Sequence, residues 1–191
     1  MSGEEWPKEK ISKLDAAYRQ LCTAIRLFFE EGDTVSIRTL TAASHEIIRV
    51  LAKRNGGGSM MKDSDFIKPE QRKGYEDLIN KPHNFFKHGI RDSHATLEFM
   101  PDETPFWISD CIMMDRKLRG KPSYPFVEFS VFMIWFTIQY PDLLTDEASA
   151  LFSDDVRIEF RKIRASGSAK QSCLALIKHP ERFPMIYNSV F

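Results

Sequence analysis

Between Pro125 and Pro141 the chain is apolar on nearly every side, reading FVEFSVFMIWFTIQY over residues 126–140. A stretch of this length is shorter than the roughly 18 residues a membrane span needs, and it carries Glu128, Ser130 and Gln139. It therefore predicts a buried helix over Phe126 to Gln139, opened by Pro125 and ended by Pro141. A helix that is apolar all round must be enclosed by its neighbours. The rest of the chain has to supply those neighbours, and its periodicity says that they are helices.

From Glu9 to Glu31 the apolar positions Ile11, Leu14, Tyr18, Leu21, Ile25 and Phe28 recur at steps of three and four. That is one apolar stripe on a helix, with Gly32 as its expected stop. A second helix is expected from Thr34 or Ser36, either of which can cap it. Its stripe is Ile37, Leu40, Ala43 or Ser44, Ile47 and Leu51, with Lys53 and Arg54 in the last turn. The two should form an antiparallel hairpin. His45 and Glu46 read as a polar or partly buried face of that second helix.

Gly56, Gly57 and Gly58 open a loop to residue 68. Their spacing does not match a phosphate-binding P-loop, and they follow a helix rather than a strand. Further on, Pro69 opens a short helix to about Asn80, with Tyr75, Leu78 and Ile79 inward. Pro82 fits the first turn of another, His83 to His88. ATLEFM at 95–100 alternates weakly and has no partner strand, so no sheet is expected. Pro101 to Leu118 reads as a helix presenting Trp107, Cys111, Met114 and Leu118 on one face and ending at Gly120. Helical patterns follow at Glu147 to Arg164 and at Cys173 to Ile177, and residues 180–191 read as a surface-packed tail. The expected fold class is all-α: a single domain over residues 1–191, a helical bundle of about six or seven helices around the buried central apolar helix.

Composition excludes more than it selects. Lysine plus arginine equals aspartate plus glutamate at 27 each, so net charge argues neither for nucleic acid nor for an anionic membrane. Fifteen phenylalanines in 191 residues fit a filled aromatic core, not a disordered chain. Cys22, Cys111 and Cys173 are few and far apart, which reads as reduced, buried thiols in a cytoplasmic protein. MSGEEWPKEK at the start is charged and has no apolar signal region.

The chemistry-bearing groups concentrate at 81–94, KPHNFFKHGIRDSH, which holds three of the five histidines. On a helix, Asn84 and His88 fall four apart on one face, with Lys87 and Arg91 near them. His83 and His94 complete the candidate binding residues. An imidazole moves protons near neutral pH, and cations beside it stabilise charge on phosphorus oxygens. At least one of Phe85 and Phe86 should reach the core. A metal reading would join His88, Asp92 and His94 to His45 and Glu46, but zinc needs three or four ligands at short range, and no Glu-x-x-His is present. No Gly-x-Ser-x-Gly, His-Glu-x-x-His or dinucleotide fingerprint occurs either, and no cofactor is expected.

The run His83-Asn84-Phe85-Phe86-Lys87-His88-Gly89 resembles the signature of the HEPN helical-bundle family, in which an arginine and a polar residue precede a histidine by a few positions. The resemblance implies a metal-independent endoribonuclease site, commonly completed across a homodimer, with His88 as the catalytic histidine and Asn84 as the accompanying polar residue. This chain departs from the pattern by placing His83 where the arginine belongs, so Arg91 or Lys87 would supply the cation. More broadly, KLDAAYRQLCTAIRLFF, SIRTLTAASHEIIRVLAKR and NFFKHGIRDSHATLEF resemble the successive blocks of a group of small bacterial all-helical proteins. That resemblance implies a bacterial source and a shared fold, and no activity. The leading expectation is a binding or interaction module with a polar site around residues 83–94. The alternatives are the ribonuclease, acting on RNA as a homodimer, and a bundle that binds a small molecule between helices lined by Trp107, Phe132 and Trp135.

Overall fold

The computed structural model describes residues 6–63, 67–89, 93–121, 125–143, 145 and 154–182. Among them are seven α-helices, and no strand. The helices are α1 (Lys13–Phe29), α2 (Thr34–Lys53), α3 (Pro69–Lys87), α4 (Thr104–Arg119), α5 (Val127–Gln139), α6 (Asp154–Ser166) and α7 (Ala169–Lys178). The fold is an all-α bundle, as the periodicity requires. The predicted stretches 147–153 and 183–191 and the residues Arg91 and Asp92 lie outside the described residues.

The α1–α2 hairpin is capped at both of its inner ends. Ser12 and Asp15 form a reciprocal capping box at the start of α1. At its end Glu31 N–H donates to the Phe28 carbonyl and Gly32 N–H to the Leu27 carbonyl, 2.8 Å away, a Schellman arrangement. The left-handed residue is Glu31, with φ 54°, and not the glycine expected to stop the helix. Gly32 serves a different need, because a Cβ there would meet the Leu27 side chain and carbonyl at 3.3 Å. Holding a glutamate in the left-handed region costs roughly 1–2 kcal/mol. Asp33, rather than Thr34 or Ser36, caps α2, accepting from Ser36 N–H at 2.7 Å; the aspartate precedes both candidates and leaves Ser36 as the donor.

α5 is the enclosed element. Phe129 and Phe132 are fully buried and Trp135 nearly so, and α1, α4, α6 and α7 pack round it. Its one buried acid, Glu128, meets the Arg26 guanidinium of α1 at 2.8 Å. Arg26 is half exposed, so water still solvates the cation side of that pair. No helix among the described residues is long and apolar enough to cross a membrane.

α3 corrects the expectation of a break. It runs unbroken from Pro69 to Lys87 with Pro82 inside it. Proline removes one helical hydrogen bond, to the carbonyl four residues back, which is that of Leu78. Leu78 is 68% exposed instead of inward, so that carbonyl lies on a wet side of the helix. None of the α3 side chains is fully buried. Phe85 and Phe86 stay half-buried, with Phe86 edge-on to Phe99 at 5.2 Å. They form a small aromatic patch of their own and do not join the main core.

Candidate functional site

The long second helix carries two buried faces. Ile37 and Ser44 are buried as expected, while Leu40, Ile47 and Leu51 of the expected stripe are half-buried and Ile48 is buried in their place. Beside them Arg38, Thr41 and His45 are buried as well, at 1%, 0% and 0% exposure. Steps of three and four place these three on one stripe of α2, and the stripe meets α4 at Trp107. The Arg38 guanidinium carbon stands 4.1 Å from the Trp107 ring centroid, and the His45 ring sits edge-on to the same indole at 4.9 Å. Lys62, from the loop after α2, brings its ammonium within 5.6 Å of that ring.

One part of this cluster is fully satisfied. Asp110 of α4 accepts from His45 Nε2 at 2.8 Å, from the Ser59 hydroxyl and from the Met60 N–H at 2.9 Å. Burial works against the Asp110 carboxylate, but the hydrogen bonds from His45 and Ser59 prevail and hold its pKa below the usual value. An ionised aspartate only accepts, so the shared proton is on His45 Nε2. Desolvation also pushes the His45 pKa down, against the pull of Asp110, and keeps the ring neutral. Ser59, His45 and Asp110 do not make a nucleophilic relay. Such a relay puts serine and aspartate on opposite ring nitrogens, whereas here both meet on the Nε2 side. The trio fastens the glycine loop across α2 and α4.

The other part is unsatisfied. Among the described residues Arg38 Nε and Nη1, Thr41 Oγ1 and His45 Nδ1 are buried without a hydrogen-bond partner. Among the described residues Arg38 makes no ion pair; Glu103 is the acid whose charge it feels, and burial lowers its pKa to about 10. A buried cation is normally paired, so an unpaired guanidinium on an indole face is an exceptional feature.

Among the described residues of the 83–94 stretch, only His83 comes to this cluster. His83 is half-buried, its Nδ1 has no partner, and its pKa is lowered by burial and by the charges of Lys87, Lys62 and Arg38. Asn84, Lys87 and His88 are exposed, and His94 is exposed in a turn. His88 caps α3 with an extended backbone, its N–H donating to the Asn84 carbonyl at 3.1 Å, so it ends the helix instead of lying within one. Arg91 and Asp92, the remaining partners considered for phosphate or metal, lie outside the described residues. No three His, Cys, Asp or Glu side chains come together at metal-binding range among the described residues. Trp107, Phe132 and Trp135, the suggested small-molecule liners, are all buried, and Trp135 also lines a cavity at the α1–α2 turn.

Sequence reasoning missed Arg38 and passed over His45. The available signal was the spacing itself: Arg38, Thr41 and His45 form a polar stripe beside an apolar one, on a helix long enough to be covered on two sides. No family model, curated protein or solved structure matches this chain.

Proposed function

We propose that this bundle is a binding module for a small oxyanion, carboxylate or phosphate, recognised by Arg38 beneath α3. The single observation that carries it is the Arg38 guanidinium, 1% exposed, with Nε and Nη1 unmet. A guanidinium presents parallel donors that match two oxygens of a carboxylate or phosphate. Thr41, one turn along the same stripe, offers a hydroxyl without a partner. Lys62 and Lys87 add positive potential, felt at His83 on the covering helix. The polar site expected at residues 83–94 thus contributes through His83, while its recognising group comes from α2. The covering helix α3 packs mainly on α2 and has no fully buried side chain.

Calorimetric titration with inorganic phosphate and, separately, with acetate tests this reading. Saturable binding of at least one anion is expected, weakened tenfold or more in Arg38→Met, since a hydrogen bond to a charged group is worth about 1.5–3 kcal/mol. An absence of heat for both anions, or equal affinity in the folded variant, overturns it.

A further inference from the structure

A concave site of the opposite chemistry lies at the turn of the α1–α2 hairpin. It is a cavity of about 260 Å³ between the α1–α2 turn, the segment before α4, the end of α5 and the start of α7. Phe28, Trp135 and Tyr140 wall it. Phe28 and Trp135 stand edge-to-face at 4.7 Å, and Trp135 and Tyr140 at 6.2 Å with their planes 84° apart. Rings set nearly at right angles form corners, and their faces carry negative charge density.

Two carboxylates edge the same cavity, Glu31 and Asp102. Asp102 lies close enough to Tyr140 to add to burial in raising the phenol's pKa. Glu31 is the residue held in the left-handed region, where glycine would fit without strain. The chain keeps a carboxylate there and places glycine one position later.

The cavity already holds an ammonium. Lys170 reaches in from α7 with Nζ 4.5 Å from the Phe28 ring centroid and 3.7 Å from the Glu31 carboxylate. One cation against two carboxylates leaves the site negative. Thr104, 3% exposed, also lines it, and its hydroxyl has no partner. A buried hydroxyl without a partner at the wall of an aromatic, acid-edged cavity points to a ligand that brings its own polar group.

We propose that this cavity binds a small organic ammonium, seated on the Phe28, Trp135 and Tyr140 rings and neutralised by Glu31 and Asp102, with Lys170 as its internal competitor. Ring faces favour cations, and alkylated ammonium ions above all, because they are attracted to the quadrupole and shed water readily. A volume of about 260 Å³ has room for a compact amine beside or in place of the lysine head. Arg38 is not among the residues that line this cavity.

Tetramethylammonium chloride is the probe, titrated against equal concentrations of sodium chloride with tryptophan fluorescence as the readout. A Trp6→Phe background removes the exposed indole, which is 86% accessible. A saturable change specific to tetramethylammonium is expected, and it should vanish in Trp135→Phe. Lys170→Met removes the competitor and should tighten binding at least threefold. Glu31→Gln combined with Asp102→Asn should weaken it at least fivefold. A response equal to that of sodium chloride, one that persists in Trp135→Phe, or one that Lys170→Met leaves unchanged in a folded protein overturns the proposal. The Glu31 and Asp102 variant alters only cavity-edge side chains, so it keeps the test decisive if Lys170→Met does not fold.

Discussion

Arg38 sets the residue-scale problem. Burying a charge costs several kcal/mol unless it is paired, and neither Arg38 Nε nor Nη1 has an acceptor among the described residues. Its contact with Trp107 returns about 1–2 kcal/mol, so the guanidinium remains a net cost to the unliganded fold. Methionine at this position keeps the long unbranched stem against the indole and removes the charge. Arg38→Met is therefore expected to raise the melting temperature in anion-free buffer by several degrees, at about 2–4 °C per kcal/mol for a chain of this size. Thermal denaturation followed by circular dichroism measures it, and a lower melting temperature would show that Arg38 stabilises the fold. The three thiols present no such conflict. Cys22, Cys111 and Cys173 are buried and free, and burial raises Cys22 and Cys173 to about 12. The sequence reading of buried, reduced cysteines agrees with that geometry.

At the scale of elements, the glycine loop after α2 is fixed by charge at the far end of its described part, Asp63. Asp63 accepts from Arg49 at 2.6 Å and from the Ser59 N–H at 3.0 Å, and pairs with Lys53 at 2.7 Å. Burial opposes its charge, but these partners hold its pKa far below the ordinary carboxylate value. Asp63→Asn should lower stability by about 1–2 kcal/mol, a figure already discounted for the half-exposed Lys53. It should also speed amide exchange at residues 59–63 while leaving the centre of α5 unchanged; exchange equal to wild type across the loop would mean that Ser59 and Asp110 suffice to hold it. This loop also marks where sequence reading ends. Three glycines and a run of polar residues signal a turn, but nothing local says that Asp63 returns to α2 or that Ser59 crosses to Asp110. Those contacts span 14 and 51 positions, and periodicity is blind to them. Helix existence was legible because it is local. The stop of α1, the cap of α2 and the passage of α3 through Pro82 were not, because several residue types suit each position and exposure decides among them.

For the whole molecule, the enclosed α5 was the most legible feature, since an all-round apolar stretch admits one solution. The buried polar stripe of α2 was hidden by the same logic, which sends charged side chains to the surface unless a partner is in view. That stripe makes stability depend on pH in a definite direction. His45 and His83 both have pKa values lowered from 6.5, chiefly by burial. In the unfolded chain they take up protons as pH falls through about 6.5, while in the folded chain they resist. The unfolded state then binds more protons, so stability is full above about pH 6.5 and declines as pH falls toward their folded values. Asp63 and Asp110 act in a lower window, because their pKa values are depressed below 3.8 and their contribution is lost only as pH drops beneath that value. Urea midpoints should accordingly be level from pH 8 to 7 and fall between about pH 6.5 and 5, with a second fall in stronger acid. His45→Gln keeps an amide donor for Asp110 and removes one titrating ring, so it should flatten the first fall and leave the second. Midpoints that decline equally in wild type and His45→Gln between pH 7 and 5 would assign that loss to His83 or to other groups, and would leave His45 without its part in the acid response.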